Sequence, residues 1–172
     1  MPTQTPAPGR WLLDPARSTV AIAHKSMWGM VTVKGTFTAR AGHGEVRQDG
    51  TASGTLTLDA ASINTKHAKR DQHLRSAHFL HTDEYPSIVF TANKAALAAD
   101  GTVTVDGELT VGAVTRPLSF TAQAAVTGSD SVTLTGEVTV DRSWFGLTWN
   151  KLGMISGPAT VSLNTRFVHD AS

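Results

Sequence analysis

Along most of this chain, apolar and polar residues alternate with period two. In "SVTLTGEVTVD", Val132, Leu134, Val138 and Val140 share one face, and Thr133, Thr135, Glu137 and Thr139 share the other. "TVTVDGELTV" repeats the pattern, with Val103, Val105, Leu109 and Val111 set against Thr104, Asp106, Glu108 and Thr110. The same alternation runs through 31–39, 52–58, 118–126 and 161–167, with shorter stretches at 18–24 and 88–92. Half-buried strands rich in β-branched residues have this signature, and eight are predicted. Asp49-Gly50, Asp100-Gly101, Gly112 and Gly128-Ser129-Asp130 supply hairpin turns between them, so neighbours are antiparallel. Eight strands with one apolar face each must stack as a sandwich or close as a barrel. Closure is favoured on two grounds. Gly35, Gly54, Gly107 and Gly136 fall mid-strand on the apolar face, where a curling sheet needs small residues. The same faces mix Ala and Gly with Val and Leu, which under-fills a solid core and suits an internal cavity. The prediction is an all-β, antiparallel, eight-stranded barrel.

Two segments break the alternation. Residues 61–90, "ASINTKHAKRDQHLRSAHFLHTDEYPSIVF", predict a short helix after the third strand, over roughly 66–76, capped by Asn64 or Thr65. Tyr85-Pro86 then halts the chain before the next strand. Residues 141–158, "DRSWFGLTWNKLGMISGP", form a long loop with two tryptophans, a phenylalanine and a methionine. Loops are ordinarily polar, so this one covers or binds something apolar.

Composition narrows the chemistry. The 172 residues suit one domain, expected over 11–169, after a disordered lead-in over 1–10 in which prolines alternate with small residues. With 15 Lys+Arg against 14 Asp+Glu and no basic run, there is no electrostatic footprint for nucleic acid. The absence of cysteine removes disulfides, thiol nucleophiles and cysteine-ligated zinc. No segment approaches the roughly 20 apolar residues of a membrane-spanning helix, so no stable membrane insertion is expected. "MPTQTPAPGR" lacks the features of a signal peptide, which leads to the expectation of a cytoplasmic protein.

His67, His73, His78 and His81 cluster within "KHAKRDQHLRSAHFLH" and invite a metal reading. Only His78 and His81 have the spacing of a helical ligand pair, and no carboxylate stands as a third ligand, although His24 could approach from another strand. No metal and no cofactor are expected. There is no G-x-S-x-G elbow, glycine-rich phosphate loop or HExxH. Arg70-Asp71 suggests a structural ion pair, each member serving a separate partner, rather than catalysis. The aromatic residues Trp28, Phe37, Phe79, Phe90, Phe120, Trp144, Phe145 and Trp149 lie on strands or on the two irregular segments. Some pack a core, and a small barrel can also hold one elongated ligand behind apolar mouth loops. Val33, Ile88 and Leu109 on strands, Leu74 on the helix and Met154 in the loop complete the candidate pore and mouth residues.

"WLLDPARSTVAIAHKSMWGMVTVKGTF", "SINTKHAKRDQHLRSAHFLHTDEYPSIVF", "VDGELTVGAVTRPLSF" and "DRSWFGL" resemble, in order and spacing, the YceI-like family of lipocalin-like polyisoprenoid-binding proteins. The resemblance runs from Trp11 to Phe167 and is most specific at "RDQHLRSAHF" followed by "YPSIVF". It implies an extended lipocalin-like barrel whose apolar pore takes up a polyprenyl chain, such as an isoprenoid quinone or its precursor. Arg70, Asp71, His73, Leu74, Tyr85, Pro86 and Phe90 match the family's motifs, as do Arg142, Phe145, Gly146 and His24. Asn64, Trp144 and Pro158 depart from them, and Trp144 adds bulk that could shorten the pore. The expectation is a carrier or sequestering protein without chemistry of its own, with Leu74 and Phe79 facing the cavity and His24, Arg70 or Arg75 reaching a head group. Two alternatives stand beside it: an enzyme or stress-response hydrolase using His24, His73 or Arg70, and a ligand-free, partner-binding barrel. A homodimer is left open.

Overall fold

The structure, a computed structural model, describes residues 6–26, 30–77, 79–127, 130–141, 145 and 156–170. Nine strands form one sheet: β1 (Gly9–Leu13), β2 (Thr19–Ser26), β3 (Val31–Val46), β4 (Thr51–Asn64), β5 (Ser87–Leu97), β6 (Thr102–Val111), β7 (Val114–Thr127), β8 (Ser131–Val140) and β9 (Ser156–His169). From β2 to β9 each strand pairs antiparallel with the next, and β9 returns to pair with β2. The sheet is therefore a closed barrel and leaves no long edge to template pairing with another chain.

Nine strands make eight staves because β1 and β2 share one. Both run between β3 and β9, β1 against His43–Val46 and Phe167–His169, β2 further down the same two strands. A single turn of 3-10 helix, Pro15–Arg17, interrupts them. Pro15 cannot donate to a ladder, so the stave breaks there and resumes after Ser18. The break is stitched to β9: Asp14 N–H donates to the Arg166 carbonyl at 2.8 Å, and Arg166 N–H donates to Ser18 Oγ at 3.0 Å. Ser18 Oγ also donates to the Asp14 carbonyl at 2.8 Å. Ser18→Ala should cost about 1 kcal/mol and lower the melting temperature by about 2–4 °C, measurable by thermal denaturation.

β1 was not anticipated; it begins at Gly9, within the stretch 1–10 expected as a disordered lead-in. The five residues of "GRWLL" are too few to declare an alternation; Leu13 and, at one end of the barrel, the ring of Trp11 carry the burial. That ring is 3% exposed, donates from Nε1 to the Ala7 carbonyl at 2.9 Å, and meets the His169 ring edge-on at 5.1 Å.

The turns follow their sequence signals. Gly50 and Gly101 have φ of 87° and 89°, and the aspartate before each accepts from the N–H two residues on, at 2.9 Å in both hairpins. Alternation then points Val103, Val105, Leu109 and Val111 inward on β6, and Val132, Leu134, Val138 and Val140 inward on β8. Register shifts change the parity where needed: between Ala92 and Lys94 the extra residue lets both Ala92 and Ala95 face the lumen.

The helix α1 (Ala68–Arg75) follows the third stave, β4. Its N-cap is His67, not Asn64 or Thr65: His67 Nδ1 accepts from Arg70 N–H at 3.2 Å. The displacement has a local cause. Lys66 adopts φ of 63°, supported by Asn64 Oδ1 accepting from Lys66 N–H at 2.9 Å, so the chain turns once more before the helix starts.

Candidate functional site

The inward faces of the staves enclose two cavities, stacked end to end. The upper, of about 190 Å³, lies toward β1 and the β3–β4 turn; the lower, of about 160 Å³, lies toward α1. Every described residue lining the lower chamber is apolar, from Val20, Ile22 and Phe37 through Ile88, Leu109 and Leu118 to Val138 and Phe145. The upper chamber is lined largely by small side chains, among them Gly44, Ala52, Gly54, Ala92, Ala122 and Ala124, with Trp11, Phe90, Phe120 and Phe167 as its large aromatics. A few polar residues border it, including His43, Glu45, Ser53, Thr55 and Thr165, where the lower chamber has none. Four side chains belong to both chambers and mark a waist: Leu56, Phe90, Phe120 and Leu163. The described lining of the lower chamber carries no titratable group, which suits it to solvation-driven burial of hydrocarbon.

The segment 64–86 lies toward the lower chamber and is anchored by one buried cluster. Thr65 and Asp71 are each 7% exposed. Asp71 Oδ1 accepts from Thr65 N–H at 2.9 Å and from Thr65 Oγ1–H at 2.5 Å. Arg70 donates from Nε to Thr65 Oγ1 at 2.8 Å and from Nη2 to the Thr65 carbonyl at 2.9 Å. The two neighbours thus share one partner, where separate partners were expected. The left-handed turn at Lys66 precedes the helix, and Thr65 just before it bonds to both side chains. Burial pushes the Asp71 carboxyl up, but the Thr65 hydroxyl and N–H, then the Arg75 and Arg70 charges, outweigh it and hold the carboxyl below its ordinary value. Arg75 Nη1 reaches the Ala61 carbonyl at 3.5 Å. Of the two arginines proposed for a head group, Arg70 is thus engaged within the segment and Arg75 reaches β4.

Of the other candidates, Phe37, Ile88, Leu109 and Phe145 line the lower chamber, and Phe90 and Phe120 line both. Leu74 and Phe79 do not line the cavity as expected. Leu74 is half-buried and packs against the core cluster, and Phe79 meets the His73 ring edge-on at 5.2 Å. Leu80 lines the chamber instead. The helix ends at Ser76, and Leu80 N–H donates back to the Leu74 carbonyl at 3.0 Å, a turn that presents Leu80 rather than Phe79 to the pore. Val33 shares a strand face with Phe37, and His24 one with Val20 and Ile22, but neither borders a chamber. His24 Nδ1 donates to the Lys25 carbonyl at 2.9 Å. Trp28, Trp144, Trp149 and Met154 lie outside the described residues, as do His78, Arg142 and Gly146. Among the described residues no three His, Asp or Glu side chains come together as a metal site. His67 instead caps α1, and His81 Nδ1 lies 3.5 Å from Glu84 Oε2.

Sequence reasoning missed Leu56, Leu118 and Leu163. Period-two parity alone would have found them, since each occupies the inward position of its strand. Leu80 carried no such signal.

The sequence pattern of the family described as YceI-like domain matches residues 11–167. A UPF0312 protein of Ectopseudomonas mendocina is 36% identical over 69 residues, which cover 40% of this chain and 36% of that protein. Protein YceI of Escherichia coli O17:K52:H18 is 40% identical over 68 residues, covering 40% of this chain and 35% of that one. These matches thus span only about a third of the length of the curated relatives. Among solved structures, Burkholderia cenocepacia BcnA superposes with a TM-score of 0.77 at 19% identity, over 90% of this chain and 98% of that one. A polyisoprenoid binding domain from Saccharophagus degradans, implicated in plant cell wall breakdown, gives 0.74 at 15% identity, over 93% and 98%. At these identities the likeness is one of fold.

Proposed function

The chain belongs to the YceI-like domain family, and from that premise we propose that it binds the hydrocarbon chain of an isoprenoid-type lipid, a polyprenyl chain such as that of an isoprenoid quinone or its precursor, and carries or sequesters it without chemical change. The observation that carries this reading is the lower chamber, closed around by staves and lined, among the described residues, by apolar side chains alone. The polyisoprenoid binding domain from Saccharophagus degradans, which shares the fold, supports the class of ligand. Burial is sufficient as a driving force. At about 0.8 kcal/mol per CH₂, four isoprene units contribute well over 10 kcal/mol gross, against an association cost of about 4–15 kcal/mol.

The greater share of small and polar residues around the upper chamber favours one polarity for an amphiphile: tail in the lower chamber, head toward the rim near His43 and Glu45. Solvent extraction of the purified protein followed by mass spectrometry is the test. A polyprenyl lipid near one per chain is expected. An extract free of lipid, from a protein that also takes up no prenyl probe, would remove the proposal and favour a ligand-free, partner-binding barrel.

A further inference from the structure

We propose that Phe90 and Phe120 set the length of chain that the pore accepts; the inference rests on the lipid-binding reading above and goes beyond it by assigning specificity to two residues. The two rings come from strands that are not neighbours, β5 and β7, with β6 between them. Their centroids nevertheless lie 5.5 Å apart, with the planes inclined at 53°. Gly107 of β6 makes the meeting feasible. A Cβ at that position would stand 2.8 Å from Phe90 Cζ and 2.2 Å from the Thr91 carbonyl oxygen, so any side chain there would displace the ring and the neighbouring backbone. The ring of Phe90 is thus seated across a bare stretch of wall, where it reaches Phe120 and, with Leu56 and Leu163, narrows the pore between the chambers.

An isoprenoid chain feels such a waist more than a straight chain does, because every fourth backbone carbon carries a methyl branch. A chain that fits one chamber is buried without disturbing the rings. A longer one must thread past them, and each branch has to part a packed aromatic pair. Close-packed interiors resist that kind of displacement. Affinity should therefore rise with chain length until one chamber is filled, at a length fixed by the two rings, and less steeply beyond it, because the tail reaches the second chamber only by parting those rings.

The test uses the whole chain and four prenyl alcohols of increasing length: geraniol, farnesol, geranylgeraniol and solanesol. Phe90→Ala and Phe120→Ala are compared with the wild type, and Phe90→Leu and Phe120→Leu serve if either alanine variant fails to fold. The trimmed variants should bind solanesol at least tenfold better relative to farnesol than the wild type does. Unchanged relative affinities in folded variants would overturn the inference while leaving lipid binding intact. So would a uniform fall across the series, which would make the rings ordinary lining. If the wild type binds none of the four saturably, the lipid reading itself fails and takes this inference with it.

Discussion

Asp71→Ala should lower stability by about 3–5 kcal/mol and the melting temperature by roughly 10 °C, although Asp71 itself borders neither chamber. The carboxylate accepts both donors of Thr65, and Thr65 in turn accepts two bonds from Arg70. Removing it strands the Thr65 N–H in a buried site and leaves the Arg70 charge without its nearby counter-charge. An unsatisfied buried donor costs more than the bond it made was worth. Asp71→Asn, which keeps the shape and one acceptor, should lose distinctly less. Thr65→Val should approach the alanine variant, and the double variant should fall well short of the sum, because both substitutions dismantle the same cluster. Thermal and urea denaturation measure all four. A stable Asp71→Ala that had lost prenyl uptake would instead place this cluster at the ligand.

The same residue predicts an acid limit. Its folded pKa lies below the unfolded value of about 3.9, so its contribution is complete above that value and is lost as pH falls through the folded one. The gap in melting temperature between wild type and Asp71→Asn should hold from neutral pH to about 4 and narrow below it. A gap that widened on acidification would show that the folded carboxyl titrates higher than its unfolded form.

Much of this barrel can be read from alternation, since a strand with one solvated face must write its orientation into the sequence. Val103 to Val111 and Val132 to Val140 took their inward faces as read, and the Asp-Gly turns held their aspartates and glycines where tight hairpins need them. What stayed hidden depends on contacts distant in sequence. β1 is held by pairing with β3 and β9, to which its own five residues give no clue. The helix cap moved to His67 because of a left-handed Lys66, which no propensity favours. At the site, strand parity reached Phe37, Ile88, Phe90, Leu109 and Phe120. It did not extend to 66–86, where the choice among Leu74, Phe79 and Leu80 turns on one hydrogen-bonded turn. The waist lay furthest from view: two phenylalanines 30 residues apart gave no hint of meeting over Gly107.

Phe90→Arg should lower affinity for a fluorescent prenyl probe by more than about 100-fold while leaving a folded β spectrum. Phe90 borders both chambers, so one guanidinium there faces the whole pore. In the unliganded protein the charge survives because the lumen is hollow: the guanidinium supplies the polar partner that water requires, and chambers of about 190 and 160 Å³ have room for it, since a single water needs only about 10–15 Å³. Binding reverses that. The lipid chain must displace the water around the guanidinium and offers no acceptor in return, at an effective cost of several kcal/mol, while each 1.4 kcal/mol is tenfold in affinity. Leu118→Arg, in the lower chamber alone, should also abolish uptake if the chain tail rests there. Thr121→Arg is the control: it adds the same charge one residue from Phe120 on the exposed face of β7, and it should change neither fold nor affinity. Probe titration with circular dichroism reads all three. A folded Phe90→Arg and a folded Leu118→Arg that both keep wild-type affinity would place lipid binding outside the barrel.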